Sequence, residues 1–565
     1  MIGSVVMLTS IKQEEKHNIV RIHRETEVDA EKVLHIATGP FAGLIVNRYG
    51  PNLSFEPNGD FNRSFVVLSS GEGKEVHEKR TLYFEMKKGV SAVVGKVAIN
   101  KIFYDLISDL PGTAIGFMKL VMTTLQKGYP EIQSITIEFK VLSEEEKITD
   151  LPAGVFAFKV RHNLLFFPDS HRELEKLTPA RVQELLEFAY PNGVTVEMLA
   201  KNLKCSAEEV MDHLQALKDN GVARNVLEEW IRVDVKKVEE SVKAQKGSAT
   251  IASPTIAIIS CLFVEKQAID SLIEDSYSIH RYKSGGDSNV YTTGRIGTHH
   301  VVATKLATIG DSRAATTSAG SITTRLLGNF QDIEHVFIVG VGGAVPNLID
   351  ASLHSRRGDV IVSASPNNYF YAHDIIRNTE TDQLLGFAIR NWKPADTTIE
   401  NILKNAGAEL VDNWNSLTKK TVQKLKTSTR GVEWEAPPQS TDILTLPLAS
   451  GQYVVFPHPE NNQSGPAVHL GSVGAIAKMQ DSTQDEQGKV KKLFTDRYAV
   501  RCLDGGFDTV VAAVKGSCVP SWVLVRGICD YEWGQTRSGK SWQPHAALRA
   551  ATMTKCLIEK LPKDA

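Results

Sequence analysis

Residues 521–547 read SWVLVRGICDYEWGQTRSGKSWQPHAA, an apolar strand that stops at Asp530, a polar loop, then a helix. Two incompatible chemistries fit this stretch. In the first, Gly534, Gly539, Lys540 and Ser541 satisfy the phosphate-loop pattern G-x-x-x-x-G-K-[ST] between a strand and a helix. That mechanism also needs further strands and a metal-binding Asp downstream, and the sequence to Ala565 supplies one more helix. The loop carries Trp533, Arg537 and Trp542, with no glycine between Gly534 and Gly539. Such a composition suits a lid over a ring better than a tight phosphate cradle, so the match is read as fortuitous. In the second, Asp530 itself does the work. Open α/β sheets bind ligands outside the carboxyl ends of their strands, where a carboxylate after the run Trp522 to Ile528 would lie. The run Thr255 to Phe263, TIAIISCLF, reads as a strand buried on both faces, and Glu265 follows it. Two strand-end carboxylates far apart in sequence point to one shared site.

A chain of 565 residues exceeds a single core, and about three domains are expected. Its 64 basic and 66 acidic residues nearly cancel, to a formal charge of -2, which argues against a surface coated by nucleic acid or membrane. Six cysteines include no C-x-x-C pair, and the start MIGSVVMLTSIKQEEK lacks the basic end and long apolar core of a signal peptide. No apolar run is long enough to span a bilayer. The expectation is a soluble protein of the reducing cell interior, in the cytoplasm.

The expected fold is multidomain α/β. Residues 1–165 predict an α+β domain of open role: strands at Thr81 to Glu85, Ser134 to Val141 and Val155 to Arg161, and helices at Ile102 to Leu110 and Ala114 to Gln126. Residues 176–234 predict helix, turn, helix, a turn at Cys205 with Ser206 as N-cap, helix, a Gly221 cap, then two short strands. That order resembles a winged helix-turn-helix. Its reading helix, SAEEVMDHLQALKDN, sets Glu208, Glu209, Asp212 and Asp219 against Lys218, and acidic charge repels phosphates. A protein-contact or dimerisation module is therefore preferred over nucleic-acid binding. Residues 235–253, VKKVEESVKAQKGSATIAS, read as a linker. From residue 254 to 562, apolar β-like runs alternate with helical segments, predicting an α/β sheet flanked by helices.

In that last domain IAIISCLFVEKQAI, ATIGDSRAATTSAGSITTRLL, VFIVGVGGAVP, GDVIVS, VHLGSVGAIAKM and VPSWVLVRGICDY follow one another. In order and spacing they resemble the purine nucleoside phosphorylase and uridine phosphorylase superfamily, and most of all its methylthioadenosine/S-adenosylhomocysteine nucleosidase branch. VHLGSV, and RGICDY followed by a lid and WQPHAALRAA, look still more like the nucleosidase-like domains attached to fungal and animal immune-receptor-type proteins. The resemblance implies cleavage of a purine N-glycosidic bond, which needs an acid for the leaving base and a nucleophile on the opposite face of an oxocarbenium-like sugar. Asp530 matches the family's acid and Glu265 the glutamate that positions water; each could instead be a helix-capping carboxylate. Gly340, Gly342 and Gly343 would let a sugar or base approach the backbone, or form only a tight turn. Val468 and His469 fall where family members line the base pocket, and His469 reads equally as a packed core residue.

The phosphate-binding arginines of phosphorolytic members are missing from SCLFVE and VFIVGVGG, leaving Arg313 of GDSRAA as the candidate phosphate contact, so hydrolysis is preferred, with phosphorolysis at an unusual site as the alternative. One position departs from the family. Gly506 of CLDGGFDTVVAAV occupies the place of the glutamate that anchors the ribose hydroxyls. Asp504 and Asp508 flank it and are the candidates to hold the ribose in its stead; Asp508 reads equally as a first-turn carboxylate favoured by the helix dipole. Neighbours His299 and His300 face opposite sides of a strand, and no metal or other cofactor is expected. The expectation is a nucleosidase acting on a small-molecule purine nucleoside or nucleotide, with Trp533, Arg537 and Trp542 in its lid; the rival is an inactive nucleoside sensor. A homodimer, and a protein partner for the winged helix, are further expectations.

Overall fold

The computed structural model describes residues 5–25, 29, 31, 33–37, 44–47, 61–71, 74–108, 110–149, 177–226, 228–233, 253–280, 289–306, 313–348, 350–447, 452–459, 465–477, 484–536 and 539–562. The architecture is mixed α/β, built on two large sheets and a small winged module.

In the first sheet, Asn62–Gly71, Lys74–Met86, Ile132–Val141, His17–Glu25 and Val5–Gln13 run antiparallel, followed by Leu44–Asn47 and Val33–Ile36. The helices Ala92–Ser108 and Ala114–Lys127 bury Ile99, Ile102, Phe103, Phe117 and Val121 in one core with Ile135 and Ile137 of this sheet. Pro111 separates the two helices, and Thr113 caps the second by accepting the Gly116 N–H at 3.1 Å. The strand expected at Val155 to Arg161 lies outside the described residues.

Two further strands of this sheet come from the other end of the chain. Leu444–Pro447 and Tyr453–Phe456 form a hairpin that joins it edge-on, Val454 opposite Val67. Phe456 packs on Phe65, centroids 5.6 Å apart, and edge-on to Phe103 at 6.5 Å. The front region and the last domain therefore share a sheet, a long-range pairing that no local sequence pattern announces.

Pro179–Ala189, Val196–Leu203, Ala207–Asp219 and the hairpin Ala223–Val226/Glu229–Arg232 form the winged module around Val182, Leu186, Leu199, Leu214 and Trp230. Ser206 and Glu209 make a reciprocal capping box, and the chain leaves the third helix through Gly221 at φ +67°.

Among the described residues the second sheet has eleven strands. At its centre Ile256–Ser260, His335–Ala344 and Ser521–Asp530 lie parallel, with His299–Lys305 beyond the first. Alternate residues part to two cores, Ala257, Ile338 and Leu524 to one face and Ile258, Val339 and Val525 to the other. All ten residues of Ser521–Asp530 are buried, as an apolar strand covered on both faces requires. The strand expected to run to Phe263 stops at Ser260, because the Cys261 and Leu262 N–H groups both turn to Glu265 and Phe263 opens the helix Phe263–Asp270. Gly340, Gly342 and Gly343 lie within a strand, His335–Ala344, and form no tight turn.

Candidate functional site

The glycine strand His335–Ala344 carries the site. On one side Glu265, in the first turn of its helix and 2 % exposed, accepts the Cys261 and Leu262 N–H groups on Oε2 and the Val341 N–H on Oε1, each at 2.8 Å. Burial pushes its carboxyl pKa up, and the three N–H donors pull part of that back. A Cβ at Gly340 would lie 2.5 Å from Glu265 Oε1, so only glycine admits this carboxylate.

On the other side Gly343 pairs with Asp530 across a bulge. Asp530 is fully buried, and its Oδ1 accepts the Glu532 and Gly534 N–H groups at 2.9 and 2.8 Å. Its Oδ2 accepts the Thr536 N–H at 3.2 Å and the Thr536 hydroxyl at 2.6 Å. Four donors match the roughly four lone-pair positions of a carboxylate. A Cβ at Gly343 would stand 2.6 Å from Asp530 Oδ1. Gly340 and Gly343 are three strand residues apart, about 10 Å. The glycines thus make room for the protein's own two carboxylates, one on each flank of a single strand.

The loop 531–536 is wrapped inward on Asp530. Lys491 Nζ donates to the Tyr531 carbonyl at 2.6 Å and lies 5.7 Å from the Trp533 ring centroid; burial lowers its pKa against the pull of Glu532 and Asp530. Trp542 is buried against Val341, Cys529 and Ala546, and its Nε1 donates to Thr441 Oγ1 at 3.1 Å. Lys540, the lysine of the phosphate-loop pattern, pairs instead with Glu184 of the winged module at 2.9 Å. Arg537 lies outside the described residues; Arg313 heads the helix Arg313–Asn329, and its side chain lies outside them too.

Asp504 is tied up in the core. Its Oδ2 accepts Arg526 Nε and Nη2 at 3.1 and 2.9 Å, and its Oδ1 accepts the Tyr369 hydroxyl and the Gly506 N–H, both at 3.0 Å. Arg526 also donates to the Ile338 carbonyl and lies 4.2 Å over the Phe507 ring. Burial and the neighbouring Asp504 charge hold the Tyr369 phenol well above its ordinary pKa. Gly506 has φ +95°, a backbone that a side-chain-bearing residue rarely adopts. Half-buried Asp508 opens the helix Asp508–Gly516 in its first turn. His469 donates from Nε2 to Asp359 Oδ2 at 3.0 Å with Arg501 Nη2 3.4 Å from Nδ1, and Val468 packs on the core beside it. Arg526 and Tyr369 escaped the sequence reading, although a lone arginine in WVLVRGICD is a charge that must find a buried partner.

Among the described residues no group of three or more His, Cys, Asp or Glu could hold a metal ion, and no helix is long and apolar enough to cross a membrane. A cavity of about 660 Å³ opens on the first sheet between Asn62, Lys79, Tyr83 and Glu138, and neither Glu265 nor Asp530 lines it.

Residues 168–234 match the family described as a winged helix-turn-helix domain. Over 295 residues, 48 % of this chain, the sequence is 24 % identical to a nucleotide-binding leucine-rich repeat (NLR)-like protein of Hyaloscypha variabilis; the match spans 26 % of that relative's length. Similar solved structures include the S-adenosylhomocysteine nucleosidase of Streptococcus pyogenes, 15 % identical over 56 % of this chain and 100 % of that one, with a TM-score of 0.32. A putative methylthioadenosine/S-adenosylhomocysteine nucleosidase of Borrelia burgdorferi bound to adenine is 14 % identical over 54 % and 100 %, at 0.33. Futalosine hydrolase of Helicobacter pylori is 14 % identical over 55 % and 99 %, at 0.32.

Proposed function

We propose that the last domain holds a latent site for hydrolysis of the N-glycosidic bond of a purine nucleoside or nucleotide, with Asp530 as acid to the leaving base and Glu265 positioning water. The observation that carries this reading is the convergence of two buried carboxylates, 265 residues apart in sequence, on the two flanks of one glycine strand at the carboxyl end of the sheet's parallel centre. Glu265 has a raised pKa and, with three donors, one lone-pair position left for a water. Asp530 has no such place while the loop 531–536 donates to it four times, so the conformation described is a resting one and the loop must lift for a proton to reach a base.

Base release from adenosine, inosine, methylthioadenosine, S-adenosylhomocysteine and ATP, followed by chromatography with and without phosphate, tests this. Phosphate-independent release that disappears in Asp530→Asn is expected. A second reading, a nucleoside-binding sensor without catalysis, is favoured by one observation: Asp504 is consumed by Arg526 and Tyr369, and Gly506 offers no carboxylate to a ribose. No release from any substrate, combined with thermal stabilisation by one of them, selects the sensor.

A further inference from the structure

Lys305 ends the strand His299–Lys305 beside Ser260, at the same carboxyl edge of the sheet as Glu265, and is 6 % exposed. Its Nζ donates to two neutral carbonyls, that of Leu306 at 3.0 Å and that of Tyr190 in the winged module at 3.2 Å. Among the described residues no carboxylate forms an ion pair with it; the Glu265 and Glu187 charges act on it only from a distance, and burial lowers its pKa. Two carbonyls compensate a buried ammonium poorly, and a phosphate oxygen brought to the same Nζ would supply the negative charge that they lack.

The winged module packs over this edge of the sheet. The Tyr190 ring stands edge-on to Phe263, centroids 4.9 Å apart, and Lys266 Nζ lies 5.5 Å from the Tyr190 ring centroid. The Arg232 guanidinium covers the other aromatic, 4.9 Å from the Phe263 centroid. Glu184 neutralises Lys540 of the loop that follows Asp530. At this edge the module therefore sets the Tyr190 carbonyl against the buried Lys305 Nζ, the place that a phosphate oxygen would take.

We propose that Lys305 is an anion-binding residue that takes a phosphate group of a purine nucleotide, and that the winged module holds its place, through the Tyr190 carbonyl, until displaced. The nucleoside part of the ligand rests on the function proposed above; the anion part does not. Because module and phosphate compete for one Nζ, weakening the docked module raises the affinity for the anion.

The test uses the full chain and calorimetric titration with AMP, adenosine and pyrophosphate. Glu184→Lys combined with Tyr190→Ala removes the ion pair and the ring contact. In that variant the affinity for AMP and for pyrophosphate is expected to rise at least tenfold over wild type, and that for adenosine by less. Adding Lys305→Met should abolish the gain for both anions and spare adenosine. Should that last variant not fold, protection of Lys305 from acetylation by pyrophosphate in the release variant, read by mass spectrometry, replaces it. No gain on release, an equal gain with and without Lys305, or no protection overturns the proposal. Pyrophosphate carries no base, so its binding can succeed where nucleoside cleavage fails, and the two readings fall separately.

Discussion

Replacing Arg526 with methionine is expected to destabilise the last domain by about 3–5 kcal/mol, the usual cost of removing one partner from a buried ion pair. The side chains of Arg526 and Asp504 are 0 and 1 % exposed, so no water takes over when the guanidinium goes. Asp504 Oδ2 would lose both donors while Oδ1 kept Tyr369 and Gly506, and the Ile338 carbonyl would lose its arginine donor, itself worth about 1 kcal/mol. Methionine fills much of the arginine stem's space, which keeps the cavity contribution small. At about 2–4 °C per kcal/mol, the melting temperature should fall by roughly 6–20 °C. Urea unfolding of wild type, Arg526→Met, Asp504→Leu and the double variant gives the coupling directly. The double variant, which removes both charges, should lose less than either single one. A loss below about 1 kcal/mol in Arg526→Met, or a double-variant loss equal to the sum of the single ones, would refute the reading of Asp504 as a structural carboxylate and return it to the ribose candidates.

Acid should weaken the fold through two buried histidines. His354 donates from Nε2 to His458 Nδ1 at 2.9 Å, and His545 Nδ1 lies 3.2 Å from the Trp434 carbonyl; burial depresses each from 6.5 to about 4. The unfolded chain takes up these protons first, so stability is full above pH ~6.5 and falls toward pH ~4, by at most roughly 3 kcal/mol per histidine; urea midpoints across that window should decline less steeply in His354→Asn/His545→Asn. Gly343→Ala should cost about 1–3 kcal/mol, since its Cβ would meet Asp530 and the Glu532 backbone, whereas Gly128→Ala, with nothing within 4 Å, should stay within about 0.5 kcal/mol in the same urea assay. Thr536→Val removes the 2.6 Å hydroxyl donor to Asp530 and should speed amide exchange of the Glu532 and Gly534 N–H groups at least tenfold; unchanged exchange would mean that the loop is held elsewhere.

The central sheet and the winged module were legible because their signals are local: continuous apolar runs for strands buried on both faces, Ser206 with Glu209 for a helix start, Gly221 for its end. Asp530 and Glu265 were legible as a pair through the rule that strand ends face the crevice and through the family resemblance of the segments that carry them. What surrounds them was not. The Cys261 and Leu262 residues continue an apolar run in sequence, yet their N–H groups belong to Glu265, a contact set by backbone direction and not by side-chain type. The pairing of Asp504 with Arg526, the hairpin of residues 444–456 and the meeting of Tyr190 with Lys305 are contacts across long stretches of chain, and one sequence carries no periodicity that encodes them.

The most direct measurement is the rate of base release in a double-mutant comparison of Asp530→Asn, Glu265→Gln and both together, on whichever panel substrate the wild type cleaves. Groups that act on one transition state are strongly non-additive. The account predicts that each single substitution lowers the rate nearly to the level of the double, with urea midpoints showing all three folded. Folded single variants that release base at the wild-type rate would contradict it.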